Sequence, residues 1–451
     1  MTPTDNSYKA HARAVMALAL PLAGTQLAQF ALHMTDVLMM GWYGLDELAA
    51  LVLASGYWFI IFILVAGFAF AVMPLVTTAA AEGDHTMVRR ATRMGVWLSL
   101  LAAVAVYPLM AFSSDLLVAM GQKPEISDLA EEYLAITGLE MAPALVVAVF
   151  RSYYAALERT RVILIVILVA VLANAVLDYA LIFGNLGAPE MGVTGSAVAS
   201  LLVTTGTMLY LGWYAHRSSP EHALFQNPFK PDMEIFWRVF RMGVPIGLTA
   251  LAEVGLFNAA AIMMGWLGTV QLAAHGIALQ LSAIAFMVQI GISQAGTIRV
   301  GAALGRKDEA ELRRGALVVT GLSMLFAVVS FTMFLTVPEM LVGLYIAPTE
   351  SERDAVIAMG AGLMLYAALF QFSDGGQVTA LSLLRGVHDT AVPMWLASFS
   401  YWLVGLPVAY VLGFPMGFGA DGIWIGLLIG LTVAWIAMGL RFWMFKSRIS
   451  A

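Results

Sequence analysis

The chain is predicted to be an all-α polytopic membrane protein, with twelve transmembrane helices in two pseudo-symmetric six-helix bundles. Three observations predict this. The composition is one that only lipid can solvate, twelve apolar segments are long enough to cross a bilayer, and the second half repeats the first.

Of the 451 residues, 61% are hydrophobic and 12% are charged, and the mean hydropathy is +0.85. Soluble domains carry about 25% charged residues. This chain therefore cannot cover its surface with water-facing side chains. The net charge of -6 is small and there is no basic block, so no nucleic-acid partner is expected. Cysteine is absent, which excludes a disulfide framework and a thiolate metal site.

A spanning helix needs roughly 20 apolar residues. The first segment, 14–41, runs on from Val15 far past the length of a signal-peptide core, so it is read as a span. Segments 48–80, 91–112, 130–155, 161–184 and 192–215 complete the first half. Segments 238–266, 270–303, 314–337, 355–385, 392–413 and 419–445 form the second. Several are long enough to tilt or to extend beyond the hydrocarbon. None alternates with period 2, so a β-barrel is not expected.

Basic residues prefer cytoplasmic loops, which tests the count. With the N-terminus inside, Lys9, Arg13, Arg89, Arg90, Arg93, Arg151, Arg159, Arg161, Arg217, Lys230, Arg238 and Arg241 all fall on the cytoplasmic side. So do Arg299, Arg306, Lys307, Arg313, Arg314, Arg385, Arg441, Lys446 and Arg448, making 21 of the 23 Lys and Arg residues. Only Lys123 and Arg353 fall outside. One miscounted helix would invert everything after it. Both termini are thus expected in the cytoplasm. The longest polar connection, 216–237, carries Pro220, Pro228 and Pro231. It is read as a cytoplasmic linker between an N-terminal six-helix lobe, 1–215, and a C-terminal six-helix lobe, 238–451.

The lobes are related by a shift of 224 residues. Residues 21–50 align with 245–274 without a gap, and 13 of 30 positions are identical. Pro21 meets Pro245 and Thr25 meets Thr249. The run Met39-Met40-Gly41-Trp42 with Gly44 meets Met263-Met264-Gly265-Trp266 with Gly268. Arg89 and Arg90 meet Arg313 and Arg314. Six helices per lobe make the repeat parallel, with its pseudo-twofold axis along the membrane normal and a substrate path between the lobes. Duplicated lobes of this kind suit alternating access.

Four acids, Asp36, Asp178, Glu253 and Asp374, sit inside apolar segments. Each costs about 2.5–3.5 kcal/mol at a helix centre. A proton, a bound cation or hydrogen bonding must offset that cost. No Lys or Arg inside a span lies near them in sequence. Burial favours the neutral acid and a bound cation favours the carboxylate, so a group poised between the two suits an ion-coupled transporter. Asn174 and Asp178 are i and i+4 on the fifth helix and share a face. Hard cations such as sodium take oxygen ligands, as calcium and magnesium do, and Ser196 or Ser200 on the sixth helix offers one more oxygen. The repeat places Gln29 opposite Glu253 and Ala260 opposite Asp36. His33, one turn before Asp36, suits a proton relay or a plain hydrogen bond. Pro21, Pro143, Pro245 and Pro407 lie within helices and should bend them. Some of the 27 Met and 11 Trp residues could line an adaptable pocket for cations. Gly426-x-x-x-Gly430 allows close helix approach.

The stretch 241–268, RMGVPIGLTALAEVGLFNAAAIMMGWLG, resembles the seventh helix of multidrug and toxic compound extrusion (MATE) transporters. The stretch 273–305, AAHGIALQLSAIAFMVQIGISQAGTIRVGAALG, resembles the eighth, and 384–393, LRGVHDTAVP, the loop after the tenth. The resemblance spans nearly the whole chain and is nearest to the NorM branch. It implies a V-shaped pair of six-helix bundles that exports cationic amphipathic drugs and dyes against inward sodium (Na+) or proton flow. Asp36, Asn174, Asp178 and Ser200 match the first-lobe ion-binding pattern, with sodium at Asp36, Asn174 and Asp178. Glu253 and Asp374 match the second-lobe site for cation or substrate. Pro21 matches a helix-bending proline. Phe370 departs from the pattern, standing where several relatives carry Tyr.

The expected protein is a secondary active multidrug efflux antiporter, not an enzyme, with no cofactor besides its coupling ion. It is expected to be a monomer, multi-pass in a bacterial inner membrane, with membrane lipid, organic cations and monovalent cations as partners. A lipid-linked saccharide flippase is the alternative. Acidic charges within the spans favour a cationic substrate over a phosphate-bearing lipid. No His-Glu-x-x-His motif or nucleophile constellation supports an intramembrane enzyme.

Overall fold

The structure, a computed structural model, describes residues 7–348 and 350–444. Lys446 and Arg448 lie outside the described residues. Twelve helices are long and apolar enough to cross a membrane. They are α1 (Tyr8–Tyr43), α2 (Leu45–Glu82), α3 (His85–Ala111), α4 (Pro124–Ala156), α5 (Thr160–Phe183) and α6 (Val193–Ser218), then α7 (Met233–Leu267), α8 (Thr269–Gly305), α9 (Glu309–Thr336), α10 (Arg353–Gly386), α11 (Ala391–Gly413) and α12 (Gly419–Met444). They answer the twelve expected segments one for one. Lipid-type side chains such as Leu101, Val104, Val169, Leu172, Leu325 and Val329 remain exposed on them, as a bilayer solvent allows.

The repeat reaches into the local chemistry of the helix ends. Gly44 and Gly268 occupy the positions just before α2 and α8. Gly268 has φ +147, in the region that favours glycine, which explains why this turn ends on glycine. Asp84 caps α3 by accepting from the backbone N–H of Met87 at 2.8 Å. Its repeat partner Asp308 caps α9 in the same way, from Glu311 at 2.8 Å. The preceding residue is left-handed in both, but it is Gly83 in one copy and Lys307 in the other. Short helices Ser113–Ala119 and Pro338–Gly343 follow α3 and α9 at equivalent places.

Pro21, Pro143 and Pro245 lie inside α1, α4 and α7. Pro74 and Pro108 lie inside α2 and α3. In α11, residues Phe399–Gly405 form a π-helical segment just before Pro407. A proline has no N–H to give the preceding turn, and π segments inside α-helices are rare. Gly426 and Gly430 bring α12 against Ala409 and Gly405 of α11, with no room for a Cβ.

The chain divides into two compact units, one of Gly24–Gly247 and the other of Met1–Ala23 with Leu248–Ala451. Each break falls two residues past a proline, Pro21 or Pro245, at the same place in the repeat. These borders differ from the expected lobe borders at 215 and 238, because α1 and α7 each contribute to both units. In the unit of Gly24–Gly247, Leu51, Met110, Leu134, Met141 and Leu145 are fully buried. A Cβ on Gly67 of α2 would stand 2.2 Å from the carbonyl oxygen of Gly243 in α7. In the other unit Leu363, Met364, Trp424, Leu427 and Leu431 are fully buried. There Gly291, the repeat partner of Gly67, meets α1 equally closely, 2.5 Å from the backbone nitrogen of Ala23.

Candidate functional site

In the unit of Gly24–Gly247, the i and i+4 spacing on α5 puts Asn174 and Asp178 on one face, toward Asp36 of α1. A single amide nitrogen joins all three. Asn174 Nδ2 donates to Asp36 Oδ1 at 2.7 Å and to Asp178 Oδ2 at 2.6 Å. The three side chains are only 6%, 1% and 0% exposed, so water cannot offset their charge. Asn174 Oδ1, Asp178 Oδ1 and Ser196 Oγ are buried without a hydrogen-bond partner among the described residues. Ser196 of α6 adjoins Asp178. Ser200, one turn further along, is buried but makes no hydrogen bond to this cluster. Tyr133 of α4 is buried within electrostatic range of both aspartates. His33 is exposed, and its side chain makes no hydrogen bond among the described residues.

No Lys or Arg forms an ion pair with Asp36 or Asp178 among the described residues. Two neighbouring carboxyls resist joint ionisation, and a shared donor relieves only part of that repulsion. The cluster can therefore accept a proton, or a hard cation through its unpartnered oxygens. Among the described residues there is no group of three or more His, Cys, Asp and Glu that could hold a metal ion.

In the other unit, Glu253 of α7 and Asp374 of α10 lie within electrostatic range of each other. Asp374 is 3% exposed, and Glu253 Oε1 is buried without a hydrogen-bond partner among the described residues. Arg385 of α10 acts electrostatically on Glu253. The corresponding position in the first repeat, Gln29, accepts from Arg151 of α4 at 2.8 Å, and Gln26 accepts from the same guanidinium at 2.7 Å. Each repeat thus sets an arginine near this position, with an amide in one copy and an acid in the other. Phe370 is packed edge-on against Phe257 and Trp424, with ring centroids 5.9 and 5.8 Å apart. The nearby hydroxyl comes instead from Tyr401 on the π segment of α11. Tyr401 accepts from Gln377 Nε2 at 2.7 Å and lies within electrostatic range of Glu253 and Asp374.

Four residues near these acids are not singled out by the sequence alone. Arg151 and Arg385 read there only as cytoplasmic-side cations near the ends of segments 130–155 and 355–385, and their places beside Gln29 and Glu253 come from α4 and α10. Tyr401 gives no sign of its role until α11 is placed. Glu140 is a further acid in the interior of a span, and its apolar neighbours Leu139 and Met141 are the available signal. Thr204 of α6 donates to its Oε1 at 2.8 Å.

A family model described as MatE matches residues 21–180 and 245–411. A protein named "Probable multidrug resistance protein NorM" from Rhizobium meliloti (strain 1021) is 43% identical, over 100% of this chain and 97% of that one. A protein of the same name from Agrobacterium fabrum is 39% identical, over 98% and 96% of the two chains. A solved structure described as MATE in complex with MaL6 superposes with a TM-score of 0.88 at 20% identity, covering 98% of this chain and 97% of that one.

Proposed function

Because the chain belongs to the MatE family of multi-pass membrane transporters, we propose that it is a multidrug efflux antiporter, exporting organic cations such as ethidium and norfloxacin-like drugs in exchange for sodium ions or protons. The observation that carries this reading is the Asp36–Asn174–Asp178 cluster: two carboxyls share one donor, and three buried polar atoms lack partners. The names of its relatives support drug export.

In this reading Asp36, Asn174 and Asp178 hold the coupling ion, with Ser196 as the nearer hydroxyl and Ser200 behind it. Occupancy by sodium or a proton removes net negative charge beside α1. A ligand shifts conformation only through such a difference in affinity between states. Pro21 is the hinge of α1. The boundary between compact units two residues beyond it supports that role, and Pro245 takes the equivalent one in α7. Glu253 and Asp374 attract the cationic substrate. The protein works in a bacterial inner membrane as a monomer, with both termini cytoplasmic.

The test is ethidium transport by purified protein in liposomes under an imposed sodium or proton gradient. Uphill movement driven by either gradient supports antiport. No movement under both contradicts it.

A further inference from the structure

We infer that Glu140 is a second cation-binding carboxylate in the unit of Gly24–Gly247, aimed by Thr204 at the positive centre of an organic substrate and coupled electrostatically to the ion site at Asp36. The inference rests on the efflux reading above and adds a residue to it.

Glu140 sits in the interior of α4, far from either end of a 33-residue helix. A carboxyl within an apolar span needs a proton, a cation or a full set of hydrogen bonds to offset its burial. No Lys or Arg forms an ion pair with Glu140 among the described residues. Arg151, on nearly the same face of α4, spends its guanidinium on Gln26 and Gln29. Thr204 holds only one oxygen, Oε1, at 2.8 Å. Oε2 accepts no hydrogen bond among the described residues, and the side chain is only half-buried. One oxygen is therefore fixed and the other is presented. That is how a carboxylate is set to receive a cation from outside the protein, rather than to finish an internal network.

The second observation is its reach. Glu140 lies within electrostatic range of Asp36 and of the buried Tyr133, seven residues earlier on α4. These are the titratable groups on which it acts electrostatically among the described residues. A cation entering the Asp36 cluster weakens the negative field at Glu140, and an organic cation at Glu140 weakens the field at Asp36. By linkage the two effects are equal in size. Two cations that repel through fixed acids exchange for one another, and antiport requires that exchange. The Asp36–Asn174–Asp178 cluster is closed and hydrogen-bonded, which suits a small ion. Glu140 is singly held and part-exposed, which suits a larger one.

The experiment measures ethidium affinity by fluorescence with the full-length purified protein, at low and high sodium and across pH. Glu140→Gln, Glu140→Asp and Thr204→Val are compared with wild type. Wild-type affinity should fall as sodium or proton concentration rises. Glu140→Gln should bind ethidium at least about thirtyfold more weakly, as when one partner of a charge pair is removed, and its residual affinity should no longer respond to sodium. Glu140→Asp keeps the charge and should retain the ion response. Thr204→Val should retain the response with an affinity loss of about tenfold or less. Wild-type affinity and ion response in Glu140→Gln would overturn the inference. So would equal loss in the Gln and Asp variants with the ion response intact, which would mark Glu140 as structural. Failure of the wild type itself to bind or move ethidium would instead remove the efflux reading on which the inference stands.

Discussion

Asn174 reaches from α5 to Asp36 on α1, 2.7 Å away, with the same nitrogen that binds Asp178. One amide thus joins two helices and two acids in a site almost without solvent.

Removing that amide should be costly. Asn174→Ala leaves both carboxyls without their shared donor, and an unsatisfied buried polar group costs about 1–3 kcal/mol. The variant should melt at a lower temperature in detergent and lose gradient-driven efflux. An unchanged melting temperature together with unchanged efflux would show that the amide holds nothing together.

The twin glycine contacts offer a symmetric test. Gly67→Ala places a Cβ 2.2 Å from Gly243 O, and Gly291→Ala places one 2.5 Å from Ala23 N. Overpacking of this kind costs about 1–3 kcal/mol. Both variants should be destabilised, while Gly56→Ala, with nothing within 4 Å, should be neutral or slightly stabilised. Thermal unfolding of the three side by side decides it.

The spans were legible because a bilayer imposes length and apolarity on every helix that crosses it. The cluster was legible in part. The i and i+4 spacing of Asn174 and Asp178 reads directly from the chain, and Asp36 stood out in an apolar run. Ser196 and Ser200 differ by one turn, and only the placement of α6 shows which adjoins Asp178. Glu140 was obscured by Glu131 and Glu132 at the start of the same segment, since a sequence does not show which acids turn inward. Arg151 and Arg385 follow the inside-positive pattern whether they sit in a loop or within a helix end. The exchange of α1 and α7 between compact units has no sequence signal except the prolines beside each break.

Lys307 carries a backbone strain that its repeat partner avoids. It holds φ +57 where the first copy has Gly83 at φ +77. A side chain in this left-handed conformation costs about 1 kcal/mol relative to glycine. Lys307→Gly should raise stability by up to that amount in chemical or thermal unfolding. Gly83→Lys should lower it.

Asp232 lies ahead of α7, outside the spans, and binds Arg90 through two hydrogen bonds, one of them Nη2 to Oδ1 at 3.0 Å. The hydrogen bond to Arg90 holds its carboxyl below the ordinary carboxylate range. A lowered folded-state value stabilises the protein above the unfolded-state value, and that contribution fades as pH falls through the folded one. Asp232→Asn should therefore cost about 1 kcal/mol at neutral pH, a modest figure because Arg90 is 32% exposed. The gap from wild type should close on acidification. A gap that widens toward acid pH would contradict the assignment.

Whether the Asp36 cluster couples ion entry to drug exit is decided by measuring ethidium affinity and gradient-driven ethidium transport in one preparation of Asp36→Asn. Driven transport should be abolished while affinity stays within about tenfold of wild type, if substrate charge is met, as proposed, at Glu140, Glu253 and Asp374. Transport that survives while affinity collapses would make Asp36 a substrate residue and would contradict its role in coupling.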